Sequence, residues 1–399
     1  PPRYELSVPA RICVFGEHSD YVPYLNTKAV TFASSEQRMK AFIRPREDDN
    51  VRIATTLPSI VMEERGQSFH IRSLDMDGDW LDVLNSREPP EPHWSNYVKG
   101  AVAWLANEPD AGGIDKGFEM LIDSDIPAAS GASSSSALTV CGMFATSIAN
   151  PLGWSVDEIA EGAGEAEWFV GTRGGCMDHA TMCCAKEGMM LGIGFDSGEF
   201  WTQAIPIGAG FDWKWYTIFT HPAEKSGAAR RAFNELAFVQ QEVIPSRLEG
   251  MDYDLPRDSE LIANKLPETI EHAEFGRIRV RDRFRFVMNE YDRVQKFSQM
   301  LWLDDGWPSL EIRELLESSW NDTRDLLGTH TPDMERVAGQ LRENTFSAIE
   351  FGGDRPVPVN EDGIQLINYY KDPANYFPTF SLADIIDGTV APTAYEGKV

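Results

Sequence analysis

Residues 125–140 read DIPAASGASSSSALTV, with four consecutive serines behind a glycine where a loop passes into an apolar run. Backbone amides at a helix start lack intrahelical acceptors and carry the positive end of the helix dipole, so a phosphate placed there gains several donors at once. Gly131 and Ala132 leave room for such a group. The hydroxyls of Ser133, Ser134, Ser135 and Ser136 can bond phosphate oxygens or help to hold Mg²⁺. Taken alone, the run also fits a serine-rich loop that caps a core helix.

Two more segments concentrate reactive side chains. RICVFGEHSDY, residues 11–21, is an apolar strand-like run followed at once by Glu17, His18 and Asp20, so a strand end delivers all three to one rim. EWFVGTRGGCMDH, residues 167–179, is a helix-like stretch broken by glycines that brings Asp178 to the start of the next element. The first also reads as a solvated loop, the second as a helix end with a capping aspartate. The His18-x-Asp20 spacing can also be read as a metal site, but no third His or Cys ligand stands nearby in sequence.

In this order the three segments resemble the GHMP kinase superfamily, and within it the galactokinase-like sugar kinases. Residues 11–21 are similar to the family pattern R-x-N-[LIV]-I-G-E-H-x-D-Y, with Cys13 in place of Asn and Phe15 in place of Ile. Pro127 to Ala137 resembles P-x-x-x-G-L-[GS]-S-S-[AS]. Glu167 to Asp178 is similar to the N-acetylgalactosamine kinase form E-R-Y-I-G-T-E-G-G-G-M-D-Q, with His179 where the family commonly has Gln. HWSNYVKGAVAWL at 93–105 resembles W-x-N-Y-V-K-G-V, and ESSWNDTRDLLGTHTPDMERV at 317–337 resembles the segment before the family's third motif. That motif, M-T-G-A-G-x-G-G-C, has no recognisable counterpart. The nearest glycine pair is Gly352-Gly353, and the likeness covers roughly residues 9–340.

The resemblance implies ATP and Mg²⁺ as cofactors and a small sugar as substrate. It implies that Asp178 is the base that takes the sugar hydroxyl proton, and that Arg11 supports it and the transferring phosphoryl group. Ser135 and Glu167 are the implied Mg²⁺ ligands, and Gly131, Ser133, Ser134 and Ser136 line the phosphates. Glu17, His18 and Asp20 bind ring hydroxyls, with Gly175 against the sugar through its backbone. Trp94 and Tyr97 fall in the segment flanking the adenine pocket, although aromatics three apart on a helix also suit core packing. The G-T-R-G-G turn at 171–175 favours a sugar with a C2 substituent. Lys28, in VPYLNTK at 22–28, can meet a carboxylate and keeps a uronic acid in play. The missing third motif leaves a non-catalytic sugar- and ATP-sensing relative as an alternative, and a mevalonate-type small-molecule kinase is the other.

The elements that must position these residues are legible as periodic runs. Strands are predicted at 10–15, 28–35, 39–45 and 51–55, and helices at 95–107, 134–148 and 156–169. MMLGIGF and WKWYTIFTH, beyond Asp178, suggest two more strands. Helical periodicity at 226–245, 256–266, 281–302 and 309–328 makes the second half helix-rich. The expected class is α+β in two domains, 1–207 and 208–399. The resemblance implies a first domain of the ribosomal protein S5 domain 2-like type and a ferredoxin-like, helix-rich second one.

Composition narrows the partners. With 63 acidic against 36 basic residues the net charge is -27, which argues against nucleic acid or an anionic membrane surface. Only 11 of the basic residues are Lys, a balance that salt-adapted proteins can show. An acidic protein that binds ATP must supply positive charge locally, which raises the weight of Arg11. Five cysteines without zinc spacing suggest reduced thiols in a cytoplasm. No apolar run reaches the ~18 residues of a membrane span. The chain opens at Pro1 rather than Met, so further N-terminal sequence or processing is expected. Oligomeric state is not legible.

Overall fold

The computed structural model describes residues 3–339, apart from 58–59, 75–77, 109–112, 128–130, 197–198, 207–213, 219–226, 251–253, 256 and 303–308, and of residues 340–399 only 364–366 and 394–397. Two compact units interleave along the chain. The first takes Pro1–Arg11, Gln37–Ala128 and Ser133–Cys184, and the second takes Ile12–Glu36, Ala129–Ala132 and Ala185–Val399. The boundary expected at 207/208 lies within 207–213, outside the described residues.

Alternation builds the sheet of the first unit. Strands β1 (Tyr4–Phe15) and β2 (Thr27–Pro45) each pass through both units, followed by β3 (Asn50–Thr55), β4 (Gly66–His70) and β5 (Phe118–Ser124). Residues 39–45 of β2 run antiparallel to β5, β3 is parallel to β5, and β4 is antiparallel to β3. Met39, Ala41, Ile43, Val51, Ile53, Phe118, Met120 and Ile122 are buried, whereas Phe42 and Leu121 are exposed. Every second side chain therefore points into the core, as period-two patterning requires.

Helices α1 (Trp80–Asn85), α2 (Ser95–Asn107), α3 (Ser134–Ala149), α4 (Val156–Ala166) and α5 (Met177–Cys184) complete this unit. Helix α3 is buried on nearly every face, from Ser135 to Ala149, and packs with α2, α4 and α5. Helix α4 opens on a capping box: Ser155 accepts from the Glu158 amide while the Glu158 carboxylate receives the Ser155 amide. Gly100 lets α2 approach closely, because a Cβ there would sit 2.6 Å from the Ala166 carbonyl oxygen.

In the second unit, residues 27–31 of β2 pair antiparallel with β6 (Met189–Asp196), and β6 pairs with β7 (Glu199–Pro206). Strand β8 (Lys214–Ile218) follows, then α6 (Gly227–Phe238), which runs through a π turn (Val239–Val243) into α7 (Ile244–Leu248). Helices α8 (Ser259–Lys265), α9 (Val280–Met300) and α10 (Ser309–Asp322) come next, and α10 ends in a second π turn (Thr323–Leu327). Its core includes Val22, Leu25, Leu236, Val239, Phe284 and Phe286.

The α+β class and the helix-rich second half agree with the sequence. The two strands expected at 28–35 and 39–45 are one strand, because the polar stretch between them contains no Gly or Pro to end it. Among the described residues no helix is long and apolar enough to cross a membrane. All five cysteines are free thiols, and burial pushes the Cys141 thiol up to about 12.

Candidate active site

Four segments of the first unit meet around Asp178. Strand β1 carries Arg11, whose Nε donates to Asp178 Oδ1 at 2.6 Å, with both side chains almost fully buried. Ser133 Oγ donates to Asp178 Oδ2 at 2.5 Å. Ser136 Oγ lies 2.8 Å from Glu167 Oε2 and 3.3 Å from Asp178 Oδ2. Glu167 is itself buried, and His179 Nε2 lies 2.9 Å from its Oε2, an ion-pair distance rather than an aligned hydrogen bond.

Local structure explains how short stretches deliver these groups. Helix α4 ends at Ala166 and tightens into the turn Glu167–Val170. Side-chain bonds staple that turn to the following loop: Thr172 Oγ1 donates to the Glu167 carbonyl at 3.1 Å, and Trp168 Nε1 donates to the Gly174 carbonyl at 2.7 Å. Arg173 Nη1 reaches the Trp168 carbonyl at 3.2 Å. Asp178 then stands on the first turn of α5, one residue before His179.

The serine turn does not behave as a plain helix cap. Ser133 is the residue before α3, yet its side chain makes no capping bond. Its backbone is left-handed at φ 56°, a strained state for a residue with a side chain, and its hydroxyl goes to Asp178 instead. Ser135 and Ser136 are buried on the first turn of α3, about 100° apart around the helix axis. Ser134 begins that turn.

The donor chemistry is hydroxyl and carboxylate oxygen. Among the described residues no group of three or more His, Cys, Asp or Glu is gathered for an ion. Such hard oxygen donors are of the kind that Mg²⁺ takes alongside waters and phosphate oxygens.

Gly175 is half-buried in the stapled loop. Trp94 precedes α2, partly exposed, with Nε1 donating to the Glu64 carbonyl at 2.9 Å, so it is not a core residue. The side chain of Lys28 lies outside the described residues.

Glu17, His18 and Asp20 belong to the second unit, as does Gly131, whose φ of 84° turns the chain before the serines. Glu17 and His18 are buried there, and Asp20 is half-buried. His18 sits at φ 57°, its ring stacked on Phe233 at 5.6 Å and its Nδ1 3.1 Å from the Tyr21 hydroxyl. Burial, followed by the carboxylates of Asp20, Glu17 and Glu235, pushes the Tyr21 phenol well above its ordinary value of 10.0. Tyr21 therefore stays a neutral hydroxyl. Sequence reasoning assigned no role to Tyr21, or to Phe233, whose place beside His18 has no local signal.

A galactokinase of Lactococcus lactis, solved in complex with galactose, superposes with a TM-score of 0.70 at 18% identity, covering all of this chain and 93% of that one. The fold is that of the GHMP kinases. Residues 96–186 match the family model for the GHMP kinases N terminal domain, a span that holds the serine turn, Glu167 and Asp178. A galactokinase of Chloroflexus aggregans is 30% identical over 212 residues, 53% of this chain. That alignment spans 47% of the relative, so this chain covers about half the length of the first curated relatives it matches. A galactokinase of Lactobacillus helveticus is 27% identical over 405 residues, 96% of this chain and 93% of that protein. In this fold the serine turn before α3 supplies hydroxyls, and the turn after α4 and the first turn of α5 supply the buried carboxylates Glu167 and Asp178.

Proposed function

We propose that the chain is an ATP-dependent sugar kinase, transferring the γ-phosphoryl group of ATP to the anomeric C1 hydroxyl of a galactose-like monosaccharide. In this reading the phosphate-binding domain spans 1–207 and a second α+β domain spans 208–399, in a cytoplasmic enzyme. The observation that carries the proposal is the buried Asp178, its two oxygens taken by the Arg11 guanidinium and the Ser133 hydroxyl.

A sugar hydroxyl is a weak acid, so it attacks phosphorus efficiently only when its proton has somewhere to go. The Asp178 carboxylate takes that proton as the O1–P bond forms and the bond from Pγ to the ADP oxygen breaks. Arg11 holds the carboxylate in place, and its charge offsets negative charge developing on the phosphoryl oxygens. Gly131, Ser133, Ser134 and Ser136 line the phosphates, and Trp94 flanks the adenine. Ser135 and Glu167 hold Mg²⁺, which when bound neutralises phosphate charge. Glu17, His18 and Asp20 accept and donate hydrogen bonds to ring hydroxyls, and the Gly175 backbone lies against the sugar.

ADP formation measured against galactose, N-acetylgalactosamine, pentoses and uronic acids tests the reading. The expected result is turnover of a galactose-like hexose that is lost on chelation of Mg²⁺. Turnover of a uronate alone moves the substrate to that class. Sugar binding without turnover of any member identifies a sensor rather than a kinase.

A further inference from the structure

Within the second unit helix α9 engages the segment 15–24 at four points, with Phe286, Glu290 and Phe297 on one face of the helix and Phe284 on another. Phe297 packs edge-on against Phe15 at 5.1 Å between ring centres. Seven residues earlier, Glu290 Oε2 accepts the Gly16 amide at 2.8 Å. Phe286 stands 6.5 Å from the His18 ring, and Phe284 stands 6.3 Å from that of Tyr24. The segment therefore runs antiparallel along the helix, with Glu17, His18 and Asp20 between its first and last anchors.

The polar anchors are built rather than incidental. Glu290 is 1% exposed, and its second oxygen receives Arg293 Nε at 2.9 Å and Ser319 Oγ at 2.5 Å. Arg293 is tied in turn to Asp322 at 2.8 Å. The Gly16 carbonyl receives both the amide and the hydroxyl of Ser19, so both polar groups of this φ 98° glycine are fixed. At the far end the Tyr24 hydroxyl donates to Gln240 Oε1, and Gln240 Nε2 donates to the Arg283 carbonyl of α9 at 3.0 Å. Gln240 is buried in the π turn, an irregularity of the kind often retained where a side chain must be aimed.

We propose that Glu290 and Gln240 are positioning residues that clamp the two ends of the sugar-binding turn onto α9, so that sugar affinity depends on them although neither touches sugar. The inference rests on the reading of Glu17, His18 and Asp20 as sugar ligands. Buried acceptors that satisfy a turn's backbone fix its side chains without joining the chemistry.

The test compares wild type with Glu290→Ala, Glu290→Gln and Tyr24→Phe by hydrogen–deuterium exchange of the peptide covering 14–24 and by steady-state kinetics. Tyr24→Phe keeps the ring on Phe284 and removes only the bond to Gln240, so it serves if Glu290→Ala does not fold. Expected are exchange at least about tenfold faster in 14–24 for Glu290→Ala or Tyr24→Phe, and a KM for sugar raised about tenfold. The KM for ATP should stay within about twofold, and Glu290→Gln should recover only part of the loss, because its amide oxygen still accepts from Gly16 while its NH2 then faces the Arg293 donor. Unchanged exchange in a folded variant, or equal rises in both KM values, overturns the clamp. If wild type turns over no sugar, the kinase reading falls by itself, and the exchange arm still decides whether Glu290 and Gln240 hold the turn.

Discussion

The Arg11–Asp178 pair of the first unit and the Arg293–Glu290 pair of the second are alike in distance and burial: 2.6 and 2.8 Å, with every side chain nearly inaccessible. Their surroundings differ. Around Asp178 stand hydroxyls from a left-handed turn and, through Ser136, a second buried carboxylate with a histidine beside it. Around Glu290 the partners are a backbone amide, its own helix and the neighbouring α10. A buried ion pair is thus a poor marker of chemistry. The strained backbone at Ser133, which turns its hydroxyl onto the acid, is the better one, because Glu290 too has a hydroxyl from Ser319 and, through Arg293, a second acid in Asp322.

The comparison can be broken most sharply at Asp178. Asp178→Asn keeps the size and removes the proton acceptor, so sugar-dependent ADP release should fall at least about a hundredfold. Activity close to wild type would put the two pairs in the same structural class. Arg293→Met leaves the buried Glu290 and the half-buried Asp322 without their cation. It should lower the unfolding free energy by about 3–5 kcal/mol in urea titration, the cost of breaking a buried pair from one side.

A finer contrast lies at the strained turn. Ser133→Ala and Ser133→Gly both remove the hydroxyl from Asp178, but only glycine relieves the left-handed backbone. The glycine variant should be more stable than the alanine variant by about 1 kcal/mol, with equal losses of activity. Equal stability would mean that the turn stores no strain.

The smallest effect is expected at the exposed pair Arg46–Asp48. Hydrogen bonds from Arg46, then the Asn50 amide, hold the Asp48 carboxyl at about 2, below its ordinary 3.8. A carboxyl depressed in the folded state contributes stability above its unfolded value and loses it as pH falls toward the folded one. The Tm difference between wild type and Asp48→Asn should therefore be present near neutral pH and shrink between about pH 4 and pH 2.

Arg11, the serines, Glu167 and Asp178 were legible because each lies in a short run whose composition signals a strand end or a helix start. What the serine run does was not legible, since a cap and a partner for a distant aspartate use the same residue. Only the backbone angle at Ser133 separates the two. Strands β4 and β5 were missed for different reasons: β4 has a single apolar residue inside GQSFH, and β5 hides its alternation by placing Leu121 on the exposed face. Glu290 carries no local signal, being one acidic residue in an amphipathic helix. Its meaning comes from a glycine 274 positions earlier.

That separation also orders events on the ribosome. All of the first unit lies before residue 185, whereas residues 12–36 await partners from beyond it. At about 5–20 residues per second, Gly16 waits on the order of ten to fifty seconds before Glu290 has been synthesised. During that interval the nascent chain carries the Gly16 turn without the carboxylate that accepts its amide.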